Sequence, residues 1–207
     1  IAAANVVIKT VGSYEDPWRQ VVTAWLSLFP AGEKPPEATR PVTRGAFSIE
    51  RGNPRHSEEI AALINRLRPN GKPLDRSDIM AEFGEKAFLL LKQENRLVGL
   101  AGWQVENLVS RTTDLYLDAS VPLRDSLPVL MKEVERASKE LQCEASLLFL
   151  NKDLGSQESL WKNLGYEART INSLGVQAWQ EAAQESQPEG TLLLFKQLRH
   201  DRVLRPI

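Results

Sequence analysis

Hydrophobic residues recur along this chain in two alternating rhythms, one of period 3.6 and one of period 2. Near the start, residues 6–11 have the character of a short strand. Asp16 and Pro17 then open a helix, the acid as N-cap and the proline in its first turn. Trp18, Val21, Val22, Trp25, Leu26 and Phe29 fall at helical spacing and form one apolar stripe, ended by Pro30 and Gly32. Residues 31–45 are rich in proline and polar groups and form a linker.

Beyond residue 46 the pattern predicts a strand over 47–51 and a helix capped by Ser57, with Ile60, Leu63, Ile64 and Leu67 on one face. A second helix starts at Asp75. Strands over 87–92 and 97–106 are joined by Gln93-Glu94-Asn95-Arg96, a hairpin signal, and a further strand covers 112–118. A helix over 128–141 turns Val129, Leu130, Val134, Ala137 and Leu141 inward. Residues 145–150 are apolar throughout, as in a strand buried on both faces. A helix over 157–164 ends at Gly165, and a strand over 166–171, a helix over 175–185 and a closing strand over 191–198 follow. The expected organisation is an N-terminal strand and helix extension with its linker, 1–45, and a mixed-sheet α/β (α+β) domain, 46–207.

Composition narrows the chemistry. The 207 residues suffice for one sizeable core, or one core and a small appendage. A net charge of −1 gives no pull toward nucleic acid or an anionic membrane. No apolar run is long enough to span a bilayer, and a cytoplasmic setting is expected. Cys143 is the single cysteine, so no internal disulfide forms, and with only His56 and His200 no histidine-rich metal site is expected. The chain opens on Ile1 rather than Met, as a processed product or a piece of a longer protein would.

Each candidate for chemistry carries a plainer alternative. Glu106, at a strand end, is placed either as a general base or as a solvated carboxylate. Asp114 and Asp118 share a strand face with Tyr116 between them; they form either a pair for an amine or magnesium, or an ordinary polar face. Cys143 precedes an apolar strand and reads as a small core residue. Arg51, Arg55, Arg66, Arg68 and Lys72 form one basic cluster, and Arg199, Arg202 and Arg205 another. No aromatic platform accompanies them, which argues against single-stranded nucleic acid. Trp18, Val22, Trp25 and Phe29 make a large apolar face, which packs on its own domain or docks on a protein partner or second copy.

Several local sequences, in this order, resemble the GCN5-related N-acetyltransferase (GNAT) family. FSIERGNPRHSEEIAALINRL is similar to its first strand and helix, and KAFLLLKQENRLVGLAGW to its second and third strands. SLWKNLGYEA matches its late helix and the strand after it, and LLLFKQL its terminal strand. The resemblance spans about three quarters of the chain. It implies a glycine-rich loop and helix start that hold the acetyl-coenzyme A pyrophosphate through backbone N–H groups. Here the matching stretch runs from Val121 to Met131 without a glycine. Arg124 matches the family's arginine; Asp125, Ser126, Leu127 and Val129 fill the rest, and Pro128 lacks a donor. Trp161 falls where the family often has a tyrosine that protonates the departing thiolate, and an indole N–H cannot do so.

The reading that follows is a degenerate GNAT-like pseudoenzyme with no cofactor, acting as a protein-interaction or assembly module. The alternatives are an active N-acetyltransferase that uses acetyl-coenzyme A and a sensor of acyl-coenzyme A or another small ligand.

Overall fold

The computed structural model describes residues 47–199, Asn70 excepted, together with Gln20. The early strand, the stripe of Trp18, Val22, Trp25 and Phe29, and the linker lie outside the described residues. Residues 47–199 fall within one compact unit, Thr43–Ile207.

Seven strands form one mixed sheet: β1 (Phe47–Arg51), β2 (Ala87–Gln93), β3 (Arg96–Glu106), β4 (Val109–Leu117), β5 (Ala145–Leu150), β6 (Glu167–Arg169) and β7 (Leu192–Gln197), in the order β1-β2-β3-β4-β5-β7-β6. Among the described strands only β4 and β5 run parallel, joined by a crossover through helix α3 (Leu123–Glu140). The other α-helices among residues 47–199 are α1 (Ser57–Leu67), α2 (Arg76–Glu82), the single turn α4 (Lys152–Gly155), α5 (Glu158–Asn163) and α6 (Gln177–Ser186).

Strand alternation sends side chains to two faces. On one, Leu127, Leu130, Met131 and Val134 of α3 pack with Trp161 and Tyr166 against Leu89, Ala101, Trp103, Leu148 and Leu150. On the other, Ile60, Leu63 and Ile64 of α1 and Ile79 of α2 cover Phe88, Leu90 and Leu100. Trp179, Ala182 and Ala183 of α6 cover Leu147, Phe149 and Leu193. All six residues of β5 are buried, as its apolar run predicts.

Two-residue turns set the registers of β2–β3 and β3–β4. Glu94 and Asn95 have φ of 50° and 64°, and Asn107 and Leu108 have φ of 51° and 62°. These are the left-handed angles of a tight hairpin loop. The second turn brings Val109, Ser110 and Arg111 into the ladder, so β4 begins three residues before the expected strand. Its polar Ser110 and Arg111 hide it from a hydrophobic pattern.

The helix expected from Pro128 begins at Leu123 instead, with Pro122 as its N-cap. Pro128 is therefore an interior residue, and the bond it removes is the one its N–H would make to the Arg124 carbonyl. Ser57 is the first residue of α1 rather than its cap, and its hydroxyl donates to the Pro54 carbonyl at 2.7 Å. Asp75 caps α2 as expected, accepting from the N–H groups of Ser77 and Asp78 at 2.7 and 2.9 Å. Gly165 closes α5 at φ 79°.

Candidate functional site

The candidate site lies where the parallel ladder ends. β4 and β5 pair from Val109 with Ala145 to Thr112 with Leu148. Beyond that point β4 runs on to Leu117, paired with β3 alone, and β5 runs on to Leu150. The β3–β4 ladder slips at the same place. Gly102 faces Asp114 and Trp103 faces Thr112, so Thr113 is an extra residue. Such a bulge bends a strand and re-aims its side chains.

Past the bulge, Asp114, Tyr116 and Asp118 follow at alternate positions, and each meets a cation from another element. Lys86 reaches Asp114 at 2.6 Å and also pairs with Glu82. Burial works against the Lys86 charge, but Asp114 and Glu82 outweigh it and hold its pKa above the ordinary lysine value. A Cβ at Gly102 would stand 2.9 Å from Asp114 Oδ2, so glycine leaves room for this pair. Arg68 Nη1 lies 3.3 Å from the Tyr116 hydroxyl. Burial, then Asp114, raise the Tyr116 phenol above its usual value against the opposing pull of Arg68, which makes it a weaker acid.

Asp118 closes the series. Its Oδ2 accepts from Arg66 Nη2 at 2.7 Å and Arg96 Nη2 at 2.9 Å, and its Oδ1 accepts from the Ser120 N–H at 2.9 Å. The Ser120 N–H and hydroxyl, then the two guanidinium groups, hold this carboxyl far below the usual carboxylate range. Neither acid of the pair is therefore free for an amine. Among the described residues, no group of three or more His, Cys, Asp or Glu side chains is placed to hold a metal ion.

The connection from β4 to α3 uses its own amides. The Val121 N–H donates to the Asp118 carbonyl at 3.1 Å. The N–H groups of Asp125 and Ser126 both donate to the Pro122 carbonyl at 3.0 Å, and the Ser126 hydroxyl joins them at 2.9 Å. A helix start normally offers about four unpaired N–H groups. Here the N-cap is a proline, which has none, and Asp125 spends its own on the preceding turn.

Arg124 and Asp125 are exposed at this start, Ser126 and Leu127 are buried, and Val129 is half-buried. Arg124 and Pro128 line one wall of a cavity of about 420 Å³, whose other wall is Gln157, Ser159, Leu160, Asn163 and Leu164. This volume lies in the range of small-ligand pockets.

No family model matches the sequence, and no curated protein matches it. Solved structures match the fold. A GNAT-family acetyltransferase from Staphylococcus aureus Mu50 superposes with a TM-score of 0.57 at 19% identity, over 74% of this chain and 100% of that one. The ribosomal-protein-S18-alanine N-acetyltransferase of Escherichia coli gives 0.58 at 12% identity, over 78% and 100%. The PaiA N-acetyltransferase of Thermoplasma acidophilum, in complex with coenzyme A, gives 0.54 at 10% identity, over 73% and 99%. The described residues carry the GNAT acetyltransferase fold.

Within this GNAT fold, Glu106 is not at the split, the point beyond Thr112 where β4 and β5 cease to pair. It ends β3 opposite Val109, at the closed end of the ladder, and pairs with the buried guanidinium of Arg111. Arg111 also reaches Glu185 and Ser186 of α6. Trp161 is buried in the core, and its indole N–H donates to the Leu154 carbonyl at 2.8 Å. Cys143 is buried, and burial pushes its thiol up to about 11. No helix among the described residues is long and apolar enough to cross a membrane.

The residues that sequence reading missed are Arg96, Ser120 and Lys86, together with the task of Arg66. Asp118-Ala119-Ser120 carried a local signal. An aspartate two residues before a serine, at a strand end, commonly folds its carboxylate back onto that backbone. Arg66 and Asp118 are 52 residues apart, and their meeting has no local signal.

Proposed function

We propose that this GNAT-fold domain does not transfer acetyl groups and serves as a protein-interaction or assembly module. The observation that carries the reading is the state of the β4–α3 connection. A coenzyme pyrophosphate is held through free N–H groups at a helix start with positive potential. Here the amides of Ser120, Val121 and Asp125 already have acceptors and that of Ser126 makes the first bond of the helix itself, which leaves at most the N–H groups of Leu123 and Arg124 for a ligand, and Asp125 brings negative charge to the helix start. These residues do not fit a pyrophosphate.

Acid–base chemistry is equally committed. Asp114 is tied to Lys86, Tyr116 is a weakened acid, and the indole of Trp161 serves the Leu154 carbonyl. The interaction side of the reading is supported by the stripe of Trp18, Val22, Trp25 and Phe29, which engages a protein partner or a second copy in a cytoplasmic setting.

A sensor of an acyl-coenzyme A or another small ligand is the second reading, favoured by the cavity beside Arg124. An active N-acetyltransferase is the other reading, favoured by the shared fold. Calorimetry with acetyl-coenzyme A and free coenzyme A, beside an acetyl-transfer assay, separates them. The expected result is no binding below the millimolar range and no transfer. Low-micromolar binding without transfer selects the sensor, and binding with transfer selects the enzyme.

A further inference from the structure

We propose that the end of β4 is an anion-binding site which the chain fills with its own Asp118. Its donors converge from three distant parts of the sequence: Arg66 from α1, Arg96 from the β2–β3 hairpin, and the N–H of Ser120 from the loop before α3. Two guanidinium groups lie within hydrogen-bond distance of one oxygen, at 2.7 and 2.9 Å. The carboxylate they share offsets the repulsion between the two positive charges. Two guanidinium groups with a backbone N–H and a hydroxyl form the donor set of a phosphate-like oxyanion.

Asp118 brings one negative charge to two positive ones, so a dianion matches the set better. The Arg66 and Arg96 side chains are 49% and 59% exposed, which opens the place to solvent, whereas the Asp118 side chain is 11% exposed. An intramolecular carboxylate has a high effective concentration and keeps free anions out. Removing it should open the site to phosphate or pyrophosphate groups, free or carried on a larger molecule. The inference rests on the reading that this connection holds no coenzyme phosphate in the native chain.

The test compares the native protein, Asp118→Ala, and Asp118→Ala combined with Arg66→Ala and Arg96→Ala. Each is titrated by calorimetry with inorganic pyrophosphate and with coenzyme A, and its fold is checked by circular dichroism. Asp118→Ala should bind pyrophosphate at least about tenfold more tightly than the native protein, a gain of about 1.4 kcal/mol. The triple variant should lose that gain. Coenzyme A binding to Asp118→Ala shows that a carried pyrophosphate also enters; pyrophosphate alone restricts the site to the free ion.

If Asp118→Ala is poorly folded, pyrophosphate should raise its melting point more than chloride at matched ionic strength. The proposal falls if the native protein binds pyrophosphate as tightly as Asp118→Ala, or if the triple variant keeps the gain. It also falls if pyrophosphate neither binds nor stabilises Asp118→Ala. Acetyl-coenzyme A binding by the native protein would instead overturn the reading that this connection holds no coenzyme phosphate, and that binding is measured on the native protein rather than on the variants.

Discussion

From Val109 to Thr112, β4 is hydrogen-bonded to strands on both sides and every residue is buried. From Thr113 to Leu117 it is paired on one side only, and every residue is partly exposed. The first half disposes of its polar groups inside the domain: Ser110 accepts from Ser138 at 2.8 Å, and Arg111 joins Glu106, Glu185 and Ser186. The second half, with Asp118 just beyond it, disposes of them against Lys86, Arg68, Arg66 and Arg96. One strand thus passes from core to surface chemistry within nine residues. The cations that meet Asp114, Tyr116 and Asp118 come from α1, the segments that follow α1 and α2, and the β2–β3 hairpin, and Tyr116 packs on the sheet face that α1 and α2 cover.

The two halves of β4 should differ most under truncation. Leu148, fully buried opposite Thr112, should lose about 2–5 kcal/mol on change to Ala. Leu117, on the partly exposed half, should lose only about 1–2 kcal/mol. Denaturant unfolding of both variants measures the contrast, and equal losses would mean that the split is packed like the core.

A gain of about 2 kcal/mol is expected from Pro128→Ala. An interior proline costs about 3 kcal/mol, and its stiffening of the unfolded chain returns about 0.4–1 kcal/mol. The expected sign is a higher melting point, and a lower one would show that the proline fits this helix without strain. Thr112→Val should also stabilise, by about 1 kcal/mol, because the Thr112 hydroxyl is buried with no hydrogen-bond partner. If Val destabilises instead, a buried water serves that hydroxyl.

What the sequence disclosed follows the same division. The apolar runs of β2, β3 and β5 and the stripe of α1 announced the sheet and its covering helices, because burial imposes a period on residue type. Polar Ser110 and Arg111 concealed the start of β4, since their partners lie on α3, α6 and the end of β3. Pro128 displaced the expected start of α3 because a proline is most at home in a first turn. At the split, Asp114 and Asp118 were visible as acids on one face. Their cations stand 28, 52 and 22 residues away and came together only through the fold.

The smallest effect concerns the charge of Asp118. Its folded pKa is depressed by the Ser120 N–H and hydroxyl and by Arg66 and Arg96. An unfolded aspartate titrates near 3.9. A carboxyl with a depressed folded pKa contributes stability that is fully present above the unfolded value and is lost as pH falls toward the folded one. The native protein should therefore lose the Asp118 contribution progressively below about pH 4. Asp118→Asn has no proton to take up there, so its stability should lie below the native value at pH 6 and approach it as the solution is acidified. Urea unfolding of both proteins between about pH 6 and pH 3 measures the gap. Parallel curves across that window would mean that the clamp contributes nothing through its charge, and the outer half of β4 would then be held by packing alone, like the inner half.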